Sequence, residues 1–173
     1  MIMKKISFLV LILFFTACAG IRVNYDYDKA TNFSNYATYN YYPDMKTSLS
    51  DFDTKRLINA IDATMQTKGF QLSEEPDFYI NIKSKSFRGS QNNNVGVGVG
   101  GGGRIGGGIS IGIPVGQPNV NREIRFDFVD SKKDVLFWNA VSESPLKENT
   151  TPETKEQKLL QIATKVLAKY PPK

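Results

Sequence analysis

Residues 50–87 read SDFDTKRLINAIDATMQTKGFQLSEEPDFYINIKSKSF, and the spacing of apolar side chains changes once within them. Thr54, Leu57, Ile58, Ile61 and Met65 recur every three or four positions and fall within about 100° of arc on a helix, which makes one buried stripe. From Phe78 the period becomes two, with Phe78, Ile80 and Ile82 alternating with Tyr79, Asn81 and Lys83, as on a half-buried strand. Ser50 is placed to accept from the first-turn amides, with Asp53 reaching back in a variant capping box. Gly69 supplies the stop. The segment predicts a helix over about 51–68 and, after Phe70, Leu72, Glu74, Glu75, Pro76 and Asp77, a strand over about 78–87.

Working outward, residues 21–27 alternate through Ile21, Val23, Tyr25 and Tyr27, and residues 36–42 form a tyrosine-rich strand ended by Pro43. Downstream, Ile124, Phe126 and Phe128 alternate with Arg125, Asp127 and Val129. A polar turn at 130–134 then leads into a return strand over 135–141 that contains Trp138, the sole tryptophan. The last element is a helix over about 152–169, with Thr151 as its cap, Pro152 in its first turn and Glu153 and Glu156 near its positive end. Leu159, Leu160, Ala163, Val166, Leu167 and Tyr170 make its apolar face. Lys155, Lys158, Lys165 and Lys169 form a polar flank that either is simply solvated or meets anionic headgroups. These elements predict an α+β two-layer sandwich: a largely antiparallel sheet of about five strands, two helices on one face, and a glycine-rich insertion.

That insertion, residues 89–118, holds twelve of the fourteen glycines. Val95, Val97 and Val99 alternate with glycine, and Ile109, Ile111 and Ile113 follow the run around Arg104. Three readings fit. The segment is a loosely paired hairpin of weakly specified register. Alternatively it is a partner-binding surface, formed by these apolar residues and Arg104, that adds strands from a partner or from another copy. The third reading, a phosphate cradle around Arg104, lacks Gly-Lys-Ser/Thr, dinucleotide-binding spacing and a following helix.

At the amino end, Lys4 and Lys5 precede an apolar run from Ile6 to Phe15 that is far too short to span a bilayer. The chain's single cysteine, Cys18, follows small Ala17, so an internal disulfide is impossible. Phe15-Thr16-Ala17-Cys18 resembles a bacterial lipobox, with Phe15 where leucine is usual, and the resemblance implies cleavage before Cys18 and its lipidation. On this reading residues 1–17 are a signal peptide, 18–21 an anchor and short tether, and 22–173 a single domain. Removing the leader leaves 156 residues and takes 22 basic residues to 20 against 17 acidic, for a net charge of +3. That mild excess gives no reason to expect nucleic acid. The membrane, through the lipid, is the expected contact.

The order of these features resembles a family of bacterial lipoproteins, the domain of unknown function numbered 4136. The residues that carry it are Tyr25-Asp26-Tyr27-Asp28, then Phe33, Tyr36, Thr38 and Tyr39; Gly69-Phe70; Pro76-Asp77-Phe78; the glycine-rich insertion; Asp130 and Trp138 around the turn; and Tyr170-Pro171-Pro172. Tyr170 stands where the family has Phe. The resemblance implies an envelope lipoprotein and no catalytic residue. Ala19 after the anchor implies, by the sorting rule of some bacteria, an outer-membrane location facing the periplasm.

Chemistry is narrowed by the absence of histidine, which removes the commonest general base and metal ligand. No cofactor is expected. The preferred function is non-enzymatic: envelope assembly or maintenance through binding another envelope component, or through self-association. The alternative is a small-ligand or glycan module using Tyr36, Tyr39, Tyr41 and Trp138, residues that serve equally as strand packing. An enzyme using Asp26 and Asp28, which flank Tyr27 on one strand face, comes third.

Overall fold

The computed structural model describes residues 20–88, 120–145 and 150–172. Among them, β1 (Arg22–Tyr27), β2 (Thr38–Tyr41), α1 (Asp51–Thr67), β3 (Gln71–Leu72), β4 (Phe78–Arg88), β5 (Val120–Asp130), β6 (Leu136–Pro145) and α2 (Pro152–Leu167) follow in chain order. The strands form one six-stranded sheet in the order β1-β6-β5-β4-β2-β3. The α+β class and the two helices agree with the pattern reading.

Two features of the sheet go beyond that reading. The four strands β1-β6-β5-β4 are antiparallel, but β2 pairs parallel with both β3 and β4. A strand, a helix and a return strand on the same sheet must be parallel, because the crossover carries the chain back to the starting end. The second feature is a β-bulge. Phe128 pairs with Trp138 and Val129 with Leu136, so Phe137 is an extra residue on β6. Both Phe137 and Trp138 are buried as a result, where strict alternation would bury only one.

The inward face of the sheet, Tyr39, Phe78, Ile80, Ile82, Ile124, Phe126, Phe128, Trp138 and Ala140, forms one core with Leu57, Ile61 and Met65 of α1 and Leu159, Ile162, Ala163, Val166 and Leu167 of α2. Leu160, expected in that core, is largely exposed, and Ile162 takes its place. The reason is helical phase: Ile162 shares a face with Leu159 and Val166, whereas Leu160 lies off that face's edge. Ile21, expected in the tether, is also buried in the core.

The helix ends follow from local chemistry. Ser50 Oγ accepts from Asp53 N at 3.2 Å, while the Asp53 carboxylate turns to Arg56 at 2.8 Å instead of closing a capping box. At the other end Gly69, at φ 87°, has its amide on Gln66 O, and the Phe70 amide returns to Met65 O. That pair of bonds is the glycine-terminated stop in which a left-handed residue satisfies the last carbonyls. Thr151 Oγ1 accepts from Thr154 N at 3.3 Å and Pro152 opens α2.

Candidate functional site

The tyrosines of the expected ligand platform are dispersed by the fold. Tyr39 has no exposed surface, and its hydroxyl donates to Asp62 Oδ1 at 2.8 Å; the hydroxyl of Tyr41 donates to the same oxygen at 2.7 Å. Both hydroxyls are held protonated well above the usual tyrosine value, first by burial and then by the Asp62 carboxylate. Trp138 is fully buried against Phe128 and Tyr170, with ring centroids at 4.6 and 5.2 Å. Tyr36 stacks on the bulged Phe137 at 4.2 Å. Tyr39 and Trp138 are wholly buried in the core and Tyr36 and Tyr41 are partly buried against it, so the four do not share one open platform.

Tyr36 belongs instead to a polar clasp at the end of the sheet where β4 begins. Its hydroxyl donates to Asp130 Oδ2 at 2.9 Å, and Asp130 Oδ1 accepts from the amides of Lys132 and Lys133 in the β5–β6 turn. Burial and the Asp130 carboxylate push Tyr36 up to about 12. Burial raises Asp130, but the turn amides and Tyr36 outweigh it and hold the carboxyl below its usual value. Beside it, Asp77 Oδ2 accepts from Ala37 N, Thr38 N and Thr38 Oγ1, each at 2.9 Å. The chain passes from β3 to β4 around the start of β2, so Asp77 meets the amides that open that strand. The apolar pattern assigns Asp77 no role beyond leading into β4, and Pro76-Asp77-Phe78 beside an alternating run is the available signal of the clasp. Tyr36→Phe is expected to cost about 1 kcal/mol, one hydrogen bond, with the stacking kept. The sign at high pH follows from the raised folded value. The contribution is complete below pH 10.0 and is lost as pH rises toward about 12. Urea titrations at pH 8, 10 and 12 check this as estimates of that window, and a Tyr36→Phe loss unchanged across it would contradict the clasp.

Asp26 and Asp28 form no pair. Asp26 Oδ1, within β1, accepts from Tyr27 N, and Asp28 accepts from Ala30 N and Thr31 Oγ1 in the turn that follows, so each carboxylate is engaged by its own neighbours in the chain. Among the described residues no group of three or more histidine, cysteine, aspartate or glutamate side chains could hold a metal ion. Cys18, Val95, Val97, Val99, Arg104, Ile109, Ile111 and Ile113 lie outside the described residues.

One shallow concave surface among the described residues lies on the sheet face opposite the helices. It is a groove of about 490 Å³ between the loop after β2, with Tyr42, Asp44, Met45 and Lys46, and the outward side chains of the central strands, Asn81, Lys83, Asp127, Val129 and Leu136. Tyr42 N on Ile80 O and Ser84 N on Thr47 O hold the loop along β4. The Tyr42 hydroxyl reaches Asp134 Oδ1 at 3.2 Å, and its ring lies 5.1 Å from Tyr79. Asp127 is paired with Arg125 at 2.8 Å. Met45, Val129 and Leu136 give the groove an apolar floor, with acidic and basic groups at its sides. The alternating pattern exposed these outward residues individually, but the loop that makes them a groove left no period to read.

The family model for a domain of unknown function, DUF4136, matches residues 23–172. Among solved structures, a PDZ domain protein from Parabacteroides distasonis ATCC 8503 is similar at a TM-score of 0.55 and 12% identity over 88% of this chain. The chain spans 36% of that protein's length. The PelC dodecamer from Paraburkholderia phytofirmans is similar at a TM-score of 0.50 and 8% identity, over 86% of this chain and 96% of that one. At such identities the likeness is one of fold. No curated protein matches the chain in sequence.

Proposed function

This chain belongs to the DUF4136 family, a domain of unknown function, and on that premise we propose that it is a lipid-anchored, non-enzymatic envelope protein that binds another envelope component. The observation that carries this reading is the position of Cys18, the chain's only thiol, behind a basic and apolar leader and three residues before the buried Ile21. A thiol so placed, with a folded domain beginning at once after it, suits a processed and lipidated terminus. The expected address is the outer membrane, facing the periplasm. No helix among the described residues is long and apolar enough to cross a membrane.

Binding is supported by the groove of the open sheet face, and self-association by the likeness to a fold that forms a dodecamer in PelC. A second reading, a small-ligand or glycan module, is favoured by the same groove, with Tyr42 and Leu136 in place of the buried aromatics. In cells, the wild-type chain is expected in the membrane fraction and Cys18→Ser in the soluble fraction; retention of the variant in membranes would overturn the anchor. A photocrosslinking residue at Leu136 is expected to join the wild-type protein to one reproducible envelope protein or to itself. Only background at that position, together with saturable glycan binding, would replace the first reading by the second.

A further inference from the structure

The sheet has two unlike ends. At one, Tyr27, Phe78, Phe128 and Trp138 meet the carboxyl end of α2, where Tyr170 packs among them. At the other lie the first residue of β1 and the last of β6, since Arg22 pairs with Glu143. Both helices begin at this second end. Thr47 O accepts from Ser84 N at 2.8 Å, and Ser84 lies in one row across the sheet with Ile124, Ser142 and Val23. Thr47 Oγ1 also bonds Thr54 Oγ1 at 2.7 Å, which holds the first turn of α1 at the level of that row. Glu153 in the first turn of α2 is close enough to feel the charge of Arg56 in α1.

This second end carries the most exposed large apolar side chain among the described residues. Phe52, in the first turn of α1, is 76% exposed, although neither the stripe of α1 nor the core needs it. Arg22, Lys55 and Arg122 are on the same end. Acids are there too: Asp53 is paired with Arg56 and Glu123 with Lys85, and Asp51, Glu143 and Glu153 lie at the same end. The chain enters the domain here as well. Cys18 is three residues before Ile21, a span of at most about 11 Å even when fully extended.

We infer that this end of the domain rests on a phospholipid bilayer, with Phe52 in the interface and the exposed Arg22 and Lys55 at the phosphates. The inference rests on the proposed anchor for its tether length. An anchor so short holds the domain within reach of the headgroups, where an exposed aromatic ring gains an apolar environment and cations meet lipid phosphate. The aromatic end of the sheet then faces away from the membrane. This orientation separates the α2 lysines, with Lys155 in the first turn of the helix at the membrane end. Lys169 belongs to the far end, where its Nζ lies 5.6 Å from the ring centroid of Tyr25.

The test uses the chain from residue 18 with Cys18→Ser, which retains every described residue and leaves no other thiol. A polyhistidine tag at its amino end is captured on phosphatidylethanolamine–phosphatidylglycerol vesicles that contain a nickel-chelating lipid. An environment-sensitive fluorophore is attached at Phe52→Cys or, as the control, at Leu72→Cys, which is 55% exposed at the opposite end. Emission from position 52 is expected to rise and move to the blue on capture and to be quenched by brominated lipid, with position 72 unchanged. Equal responses at both positions, or none at 52, would overturn the orientation. A blue shift at 52 that grows with protein concentration in the absence of vesicles would assign the surface to a second copy instead. Because the tag supplies the tether, the result is independent of lipidation at Cys18, which the fractionation of Cys18→Ser decides separately.

Discussion

Phe78→Ala is expected to lower the stability of the domain by about 3–5 kcal/mol, which for a chain of this size is a fall in Tm of about 10 °C. Phe78 has no exposed surface. Its ring lies 5.7 Å from Tyr36, 6.2 Å from Tyr39, 6.2 Å from Phe70, 5.1 Å from Phe128, 5.6 Å from Phe137 and 5.9 Å from Tyr170. Those rings come from the turn before β2, β2 itself, the exit of α1, β5, the β6 bulge and the end of the chain, so the cavity left by alanine is bordered by six separate segments. Collapse into it would require all six to move together, which places the cost toward the upper part of the range. Chemical denaturation measures it, with Phe52→Ala as the exposed comparison, expected to change stability by less than about 0.5 kcal/mol. A loss at Phe78 below about 1.5 kcal/mol would mean that the aromatic cluster is loosely packed.

Asp77→Ala is expected to cost about 2–3 kcal/mol, because one carboxylate oxygen satisfies two amides and a hydroxyl at the start of β2 and charge-assisted bonds are the stronger kind. Solvent reaches this edge and re-forms part of what is lost, so the figure stays well below the sum of three such bonds. Burial pushes the Asp77 carboxyl up, but the Ala37 and Thr38 amides and the Thr38 hydroxyl outweigh it and hold the group below its ordinary value of 3.8. The sign follows. A carboxyl whose folded value is depressed contributes stability that is present above the unfolded value and lost as pH falls through the folded one. Asp130 is depressed in the same direction by the turn amides and Tyr36. The urea midpoint of the wild type should therefore fall as pH drops below about 4, and Asp77→Asn should flatten that fall while keeping an acceptor oxygen. An acid response identical in wild type and Asp77→Asn would remove Asp77 from the clasp.

The pattern of apolar residues was sufficient for the elements with a strong period. The stripe of α1, the Phe78–Ile80–Ile82 face and the Ile124–Phe126–Phe128 face lie where their spacing puts them, because burying one face of a helix or strand is a local requirement written in every third or second residue. The candidate site was less legible. Tyr36, Tyr39, Tyr41 and Trp138 were visible as aromatics, but whether an aromatic meets a ligand or the core depends on what the opposite layer brings to it. Here Asp62 of α1 claims two of the hydroxyls and Tyr170 covers Trp138. Phe137 could not be read at all, since a single extra residue reverses the alternation only when the partner strand is known. The groove escaped for a similar reason: its wall is a loop held by two backbone bonds to β4, which any sequence can make.

The α+β class, both helix caps, the glycine stop at Gly69 and the β5–β6 hairpin are properties of short stretches of chain, and local sequence is enough to determine them. The parallel pairing of β2, the bulge at Phe137, the clasp of Asp77 and Asp130, and the shared end of Ile21, Phe52 and Arg122 were decided by the tertiary structure alone. Each depends on which distant segments the crossover and the sheet order bring together, and contacts between segments tens of residues apart leave no period along the chain.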